Sequence, residues 1–210
     1  MLFAVWSEGT DNKGYKYNIE KELTVVRLVI LGGSGSGKST QAHRLSKYFE
    51  VPLVSVGEIL RSAIANQTNL GRFAQPYVDT GELVPDEIMI EFISERLTKP
   101  DVACGWVLEG YPRTAFQAEE LDFLLDSLGQ KLDWAIYLQV PQAVMVTRSV
   151  GRSLSDDLPE IVQRRVELFY DRTVPILEYY DRRRRLLTIN GDQLPEMVQH
   201  NIVSLLCQTS

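Results

Sequence analysis

The sequence is poor in the residues that most often carry chemistry by themselves. Its 210 residues include two cysteines and two histidines. Cys104 and Cys207 lie far apart, form no C-x-x-C pair and sit among apolar neighbours. That argues against a disulfide scaffold or a cysteine zinc site, and suits buried thiols in a reducing, cytoplasmic setting. His43 and His200 have no partner at a useful spacing, so both read as surface residues on helices rather than bases or ligands. No run is apolar for long enough to cross a bilayer, and a membrane role is not expected. Surplus positive charge is missing as well: the net charge is −6. Nucleic acids are bound through excess Lys and Arg, so they are not expected partners. The one basic run, residues 181–185, reads as a solvated helix end favoured by the helix dipole.

What is present describes a globular chain with one core: 44% of residues are hydrophobic and 24% charged. Residues 1–22 hold too short an apolar stretch and too many acids for a signal or transit peptide, and are expected to be a flexible extension. Residues 23–206 form the expected domain. Residues 23–31 are β-branched and nearly all apolar, as in a strand covered on both faces. Further strands are expected at 51–55, 105–110, 133–140 and 185–190, with helix-length stretches between. This alternation predicts an α/β fold, a doubly wound five-stranded parallel sheet with helices on both faces. Residues 55–84 are helical without a strand, and 151–157 are a short polar break. Both are expected to be mobile flaps. The long helix 157–183 is expected to kink at Pro175.

Gly32, Gly37, Lys38 and Ser39 satisfy G-x-x-x-x-G-K-[ST] between a buried strand and an amphipathic helix. Polyphosphate oxygens are met closely by converging backbone N–H groups, which side chains would block. The helix N-terminus adds partial positive charge. Gly33, Gly35, Ser36, Gly37, Lys38, Ser39 and Thr40 are therefore the expected loop for a nucleoside triphosphate. Lys38 would reach the outer phosphates, and the Ser39 hydroxyl would ligate Mg²⁺. Glu109, ending a strand beside the loop, is the expected second metal residue, through water. Gly110 would let a substrate approach, Pro112 fixes the chain, and Arg113 and Arg61 offer guanidinium forks that match phosphate. Gln117, one turn beyond Arg113 on its helix, can donate and accept at once toward a base edge.

Together with "VSVGEILRSAI", "NLGRFAQPYVDTGELVPDE" and "WVLEGYPRTAFQAEEL", the loop resembles the adenylate kinase family of nucleoside monophosphate kinases over residues 25–206. The resemblance implies reversible Mg²⁺-dependent transfer from ATP to AMP by a P-loop kinase, acting as a monomer with an acceptor-binding helical flap at 55–84 and a short lid at 151–157. It implies that Val56, Arg61, Glu82, Leu83, Val84, Gly110, Tyr111, Pro112, Arg113, Gln117 and Arg165 bind AMP. Lys38, Arg113, Arg152 and Arg165 would be catalytic, Arg148, Arg152 and Gln193 would serve ATP, and Asp156 or Asp157 would orient the lid arginines. Arg164 is the lesser member of its pair. UMP/CMP kinases resemble this stretch with asparagines where Thr114 and Gln117 stand, so the pair here points to adenine.

Several positions depart from the family pattern. Val56 replaces a threonine, Leu154 an arginine and Ser39 a glycine, while Glu58 and Glu109 replace aspartates. Two alternatives stay open at this point: the same chemistry on UMP, CMP or another monophosphate, and a nucleotide sensor on a weakened kinase fold.

Overall fold

The computed structural model describes residues 3–10, 16–23, 25–151 and 158–208. Strands β1 (Phe3–Thr10) and β2 (Lys16–Leu23) pair antiparallel with each other, Phe3 opposite Leu23, as a sheet of their own. The sequence reading placed no strand here. Its missed signal is the polar/apolar alternation of Tyr17, Ile19 and Leu23 with Lys16, Asn18, Glu20 and Glu22.

The second sheet holds β3 (Val26–Leu31), β4 (Leu53–Ser55), β5 (Gly105–Glu109), β6 (Trp134–Gln139) and β7 (Leu186–Asn190). Its order is β4-β5-β3-β6-β7, and every pairing is parallel. This is the doubly wound arrangement that the alternating pattern implies. β3 is central and apolar on both faces because both are covered. Val29 and Leu31 join one core cluster, with Trp106, Ile93, Leu121 and Tyr180; Leu28 and Ile30 join the other, with Leu45, Ile136 and Ile202. The first face carries α4 (Asp86–Leu97), α5 (Ala115–Ser127) and α8 (Val174–Arg182); the second carries α1 (Lys38–Phe49) and α9 (Pro195–Gln208). From β3 the chain runs through α1 to β4 on one side, and from β5 through α5 to β6 on the other. A crevice therefore opens at the strands' C-terminal ends, the usual ligand position in such sheets.

The strandless stretch after β4 consists of α2 (Val56–Ala65) and α3 (Asn69–Thr80). α6 (Gln142–Val150) and α7 (Pro159–Leu168) flank residues 152–157, so Arg152, Leu154, Asp156 and Asp157 lie outside the described residues. Pro175 acts differently from the expected kink. Between α7 and α8, residues Phe169–Thr173 form a π turn, and Pro175 sits in the first turn of α8, where its missing N–H is least costly. The cysteines also correct the sequence reading: both are free, but exposed rather than buried. Cys104 falls in the turn before β5, and Cys207 on the last turn of α9, so apolar neighbours in sequence do not bury them. Both histidines are exposed, as expected. No helix among the described residues is long and apolar enough to cross a membrane.

α2 and α3 cross closely at Gly71, where a Cβ would lie 2.0 Å from the carbonyl oxygen of Ala63. Alanine at a helical position gains about 1 kcal/mol over glycine in propensity. The obstacle here is backbone, which cannot rotate away, and overpacking of this kind costs about 1–3 kcal/mol. The clash should win. Gly71→Ala is expected to lower the thermal midpoint by a few degrees; a midpoint equal to wild type or above it would show that the helices do not pack this tightly.

Candidate active site

The glycine-rich loop follows β3 and ends at Gly37, which caps α1 with φ of 92°. No acidic residue lies in the first turn of α1 itself, so the helix does not offset its own positive end. Gly35 lets the loop pass close to α6: its φ is +79°, and a Cβ would lie 2.0 Å from the carbonyl of Met145. Ser149 on α6 donates to Ser34 Oγ at 3.0 Å, fixing the loop from the same side. Lys38 Nζ donates to the Gly33 carbonyl at 2.7 Å, which folds the ammonium over the loop.

Register places the carboxylate. Glu109 ends β5 opposite Ser55 of β4 and Ile30 of β3. It is buried, and its Oε1 accepts hydrogen bonds from Ser55 Oγ and, at 3.3 Å, from Ser39 Oγ. A hydroxyl and a carboxylate are the hard oxygen donors that Mg²⁺ takes, few in number because the ion keeps several of its waters. Ser39 and Glu109 therefore fit the cation.

The chain then turns through Gly110, Tyr111 and Pro112, and Arg113 is held at several points. Its N–H donates to Gln117 Oε1 at 2.8 Å, its carbonyl accepts from Thr173 Oγ1 at 2.9 Å, and its Nε donates to the Gly110 carbonyl at 2.9 Å. Thr173 belongs to the π turn, which gives that break in the helix a structural purpose. Desolvation pulls the Arg113 guanidinium below its usual range; Glu109 offsets this in part, while Arg165 and Arg61 add to it. An arginine still stays protonated at neutral pH. Tyr111 is buried, its hydroxyl donates to the Gln117 carbonyl at 3.2 Å, and burial raises its pKa far above the usual phenol.

One cleft gathers both halves of the site. Gly32, Gly33, Lys38, Ser39 and Glu109 line it together with Arg61, Arg113, Gln117 and Arg165. Val56, Leu60, Leu83, Val84 and Met89 give it an apolar wall, with Glu82, Gly110, Tyr111 and Pro112 alongside. A second hollow beside the loop is lined by Ser36, Gly37, Thr40, Arg148 and Gln193. There Arg148 donates to the Gly191 carbonyl at 3.1 Å and to Asp192 Oδ1 at 2.7 Å. The site residues expected from the sequence are thus divided between two hollows, with Gly35 lining neither and packed instead on α6; Arg152 lies outside the described residues.

Arg113 precedes α5 rather than sharing it with Gln117, because Thr114 is the N-cap and accepts from Gln117 N at 3.2 Å. Arg164, the lesser member of its pair, does not line the cleft itself but pairs with Glu82 at its wall, Nε to Oε1 at 2.6 Å. Ser55 and Asp86 were not anticipated. Ser55 was legible as the register partner of a strand-ending acid; Asp86 reads in sequence only as a first-turn acid of α4, with nothing to mark a partner thirty-one residues on.

The family profile described as adenylate kinase matches residues 30–185. The chain is 75% identical over 184 residues to adenylate kinase 2 of Nostoc sp., covering 88% of this chain and all of that one. It is 57% identical over 177 residues to adenylate kinase 2 of Synechocystis sp., covering 82% and 98%, and 43% identical over 182 residues to adenylate kinase 1 of Nostoc sp., covering 87% and 99%. The chain belongs to the adenylate kinase family. It is accordingly a phosphotransferase.

The loop's passage beside α6 supplies a test. Gly35→Ala places a methyl against the Met145 carbonyl and asks a non-glycine residue to hold the left-handed region, together about 2 kcal/mol or more. Calorimetric titration with ATP is expected to show at least about a tenfold loss of affinity; wild-type affinity would mean that the loop does not bind in this form.

Proposed function

We propose that the enzyme catalyses ATP + AMP to two ADP, reversibly and with Mg²⁺, in the cytoplasm and as a single chain. The observation that carries this reading is the continuity of the cleft: the phosphate loop and Lys38 open onto the same space as Arg61, Arg113, Arg165 and Gln117. Two anionic nucleotides meeting end to end need such a space, with cations where their phosphates converge. The two free thiols suit a reducing setting.

The loop's N–H groups and the start of α1 hold the phosphates of ATP, and Lys38 swings to its outer phosphates. Arg61 and Arg113 hold the phosphate of AMP, and Gln117 reads its base. An AMP phosphate oxygen attacks the γ-phosphorus; that P–O bond forms as the bond to the β–γ bridging oxygen breaks, and the bridging oxygen leaves with the electron pair on ADP. The attacking oxygen is already anionic, so no general base is needed, which agrees with the outlying histidines. Arg113 and Arg165 follow the transferred group, and their preset positions cost little reorganisation during the step. Ser39 and Glu109 would hold Mg²⁺, which neutralises charge on the phosphates when bound. Arg148, Arg152 and Gln193 serve the ATP side, and closure over the site would exclude water that could otherwise take the phosphoryl.

Initial rates with AMP, CMP, UMP and GMP as acceptors test the reaction. ADP should form fastest with AMP, and a pyrimidine preference would refute the adenine assignment. Arg113→Ala is expected to keep the fold and to lose about 10²–10³-fold in kcat/KM for AMP; an unfolded variant would contradict its place at the cleft wall. Lys38→Ala should lose a similar factor in kcat while binding AMP within a few-fold of wild type. Equal loss of AMP binding would mean that the two halves are wrongly assigned.

A further inference from the structure

The side-chain amide of Gln117 is held at both ends. Its Nε2 donates to Asp86 Oδ1 at 2.8 Å, and its Oε1 accepts from the backbone N–H of Arg113 at 2.8 Å. Thr114 closes a ring, donating from Oγ1 to Asp86 Oδ2 at 3.0 Å while the same oxygen accepts from Gln117 N. Thr114-x-x-Gln117 resembles a capping box, but in a capping box the glutamine would serve only the helix start. Here a residue of another helix, α4, takes hold of it.

Polarity makes this arrangement one-way. An ionised carboxylate can only accept, and a backbone N–H can only donate. Turning the amide over would set its oxygen against Asp86 and its NH₂ against the Arg113 N–H, losing both bonds. Gln117 is 2% exposed, so water cannot readily replace them. Unmet polar groups in such a place are costly. The amide's orientation is thus dictated by its neighbours rather than left to the ligand.

An amide has two protons and two lone pairs. The ring uses one of each, leaving one donor and one acceptor on a side chain that lines the acceptor cleft. A 6-aminopurine presents a donor at N6 beside an acceptor at N1, and a 6-oxopurine reverses them, with an acceptor at O6 and a proton on N1. The two bases otherwise have the same shape. With the nucleotide's phosphate anchored at Arg61 and Arg113, the base cannot turn over to correct the mismatch.

We propose that Asp86 is a specificity-determining positioning residue: through Gln117 it fixes the donor–acceptor order that the acceptor base meets, so that 6-aminopurine monophosphates are accepted and 6-oxopurine ones rejected. This rests on the AMP reading above and deepens it. Asp86 acts without touching the base.

The measurement is kcat/KM for AMP and for inosine monophosphate at saturating ATP and Mg²⁺, together with the KM for ATP and the thermal midpoint. In wild type AMP should be strongly preferred. Asp86→Asn, whose amide can donate or accept, and Asp86→Ser, whose hydroxyl can do both, should each lower the AMP-to-IMP ratio by about tenfold, the value of one hydrogen bond to a charged group. The change should lie in KM for the acceptor, with KM for ATP unmoved. Asp86→Glu, still an acceptor only, should recover most of the ratio. A general weakening of α4 would lower both acceptors alike and leave the ratio where it was. A wild-type ratio in either Asp86→Asn or Asp86→Ser, whichever is folded, overturns the proposal. A wild-type enzyme that uses AMP and IMP equally well overturns the adenine assignment itself, whatever the variants do.

Discussion

The structure is organised around a local concentration of positive charge in an acidic chain. Four cationic side chains, Lys38, Arg61, Arg113 and Arg165, line one cleft against two carboxylates, Glu82 and Glu109, in a protein of net charge −6. Bringing guanidinium groups together and partly desolvating them is unfavourable, and Arg113 shows it: burial and its two arginine neighbours all act to weaken its hold on the proton. The arrangement opposes folding slightly and favours any polyanion that arrives. The fold has to supply enough rigidity to keep these groups in place against their mutual repulsion.

That rigidity comes from the central sheet. β3 is buried on both faces, so its C-terminal end cannot shift without disturbing both cores. The phosphate loop leaves from that end, Glu109 leaves from the neighbouring strand, and Ser55 from the strand beyond. Three parallel strands thus deliver their last residues to one edge at fixed spacing. Arg113 lacks such a support of its own and is instead fastened by its backbone: Gln117 takes the N–H, and Thr173 reaches the carbonyl from the π turn of a separate segment. A regular α-helix through 169–173 would rotate Thr173 relative to α7 and break this link.

The legible part of the sequence was the part governed by local pattern. The apolar runs of β3 and β6, the glycine spacing of the loop and the Gly110–Pro112–Arg113 turn all appear where the pattern puts them, because period and steric demand act over a few residues. Where burial is set by the third dimension, local composition misled: Cys104 and Cys207 have apolar neighbours yet are exposed. The effect of Pro175 was sensed but its form was not, since a kink and a π turn both relieve the same missing N–H. Asp86 was invisible for a different reason. An acid in the first turn of a helix is fully accounted for by the helix dipole, and only the packing of α4 against α5 shows that it has a second task.

Two departures from the family pattern turn out to be one contact. The sequence carries Ser39 where the family usually has glycine and Glu109 where it has aspartate, and the structure joins them, Ser39 Oγ donating to Glu109 Oε1. A glutamate has one more rotatable bond than an aspartate, so its carboxylate would sweep a wider arc at the mouth of the loop and spend less time in any one position. The hydroxyls of Ser39 and Ser55 both fall on the same oxygen, which restores a single orientation and leaves the other oxygen directed by it. Glycine at position 39 would remove half of that restraint, and aspartate at 109 would withdraw from the remainder. The two departures therefore meet in one contact, and a carboxylate with a longer side chain is still held beside the phosphate loop by hydroxyls from two different elements.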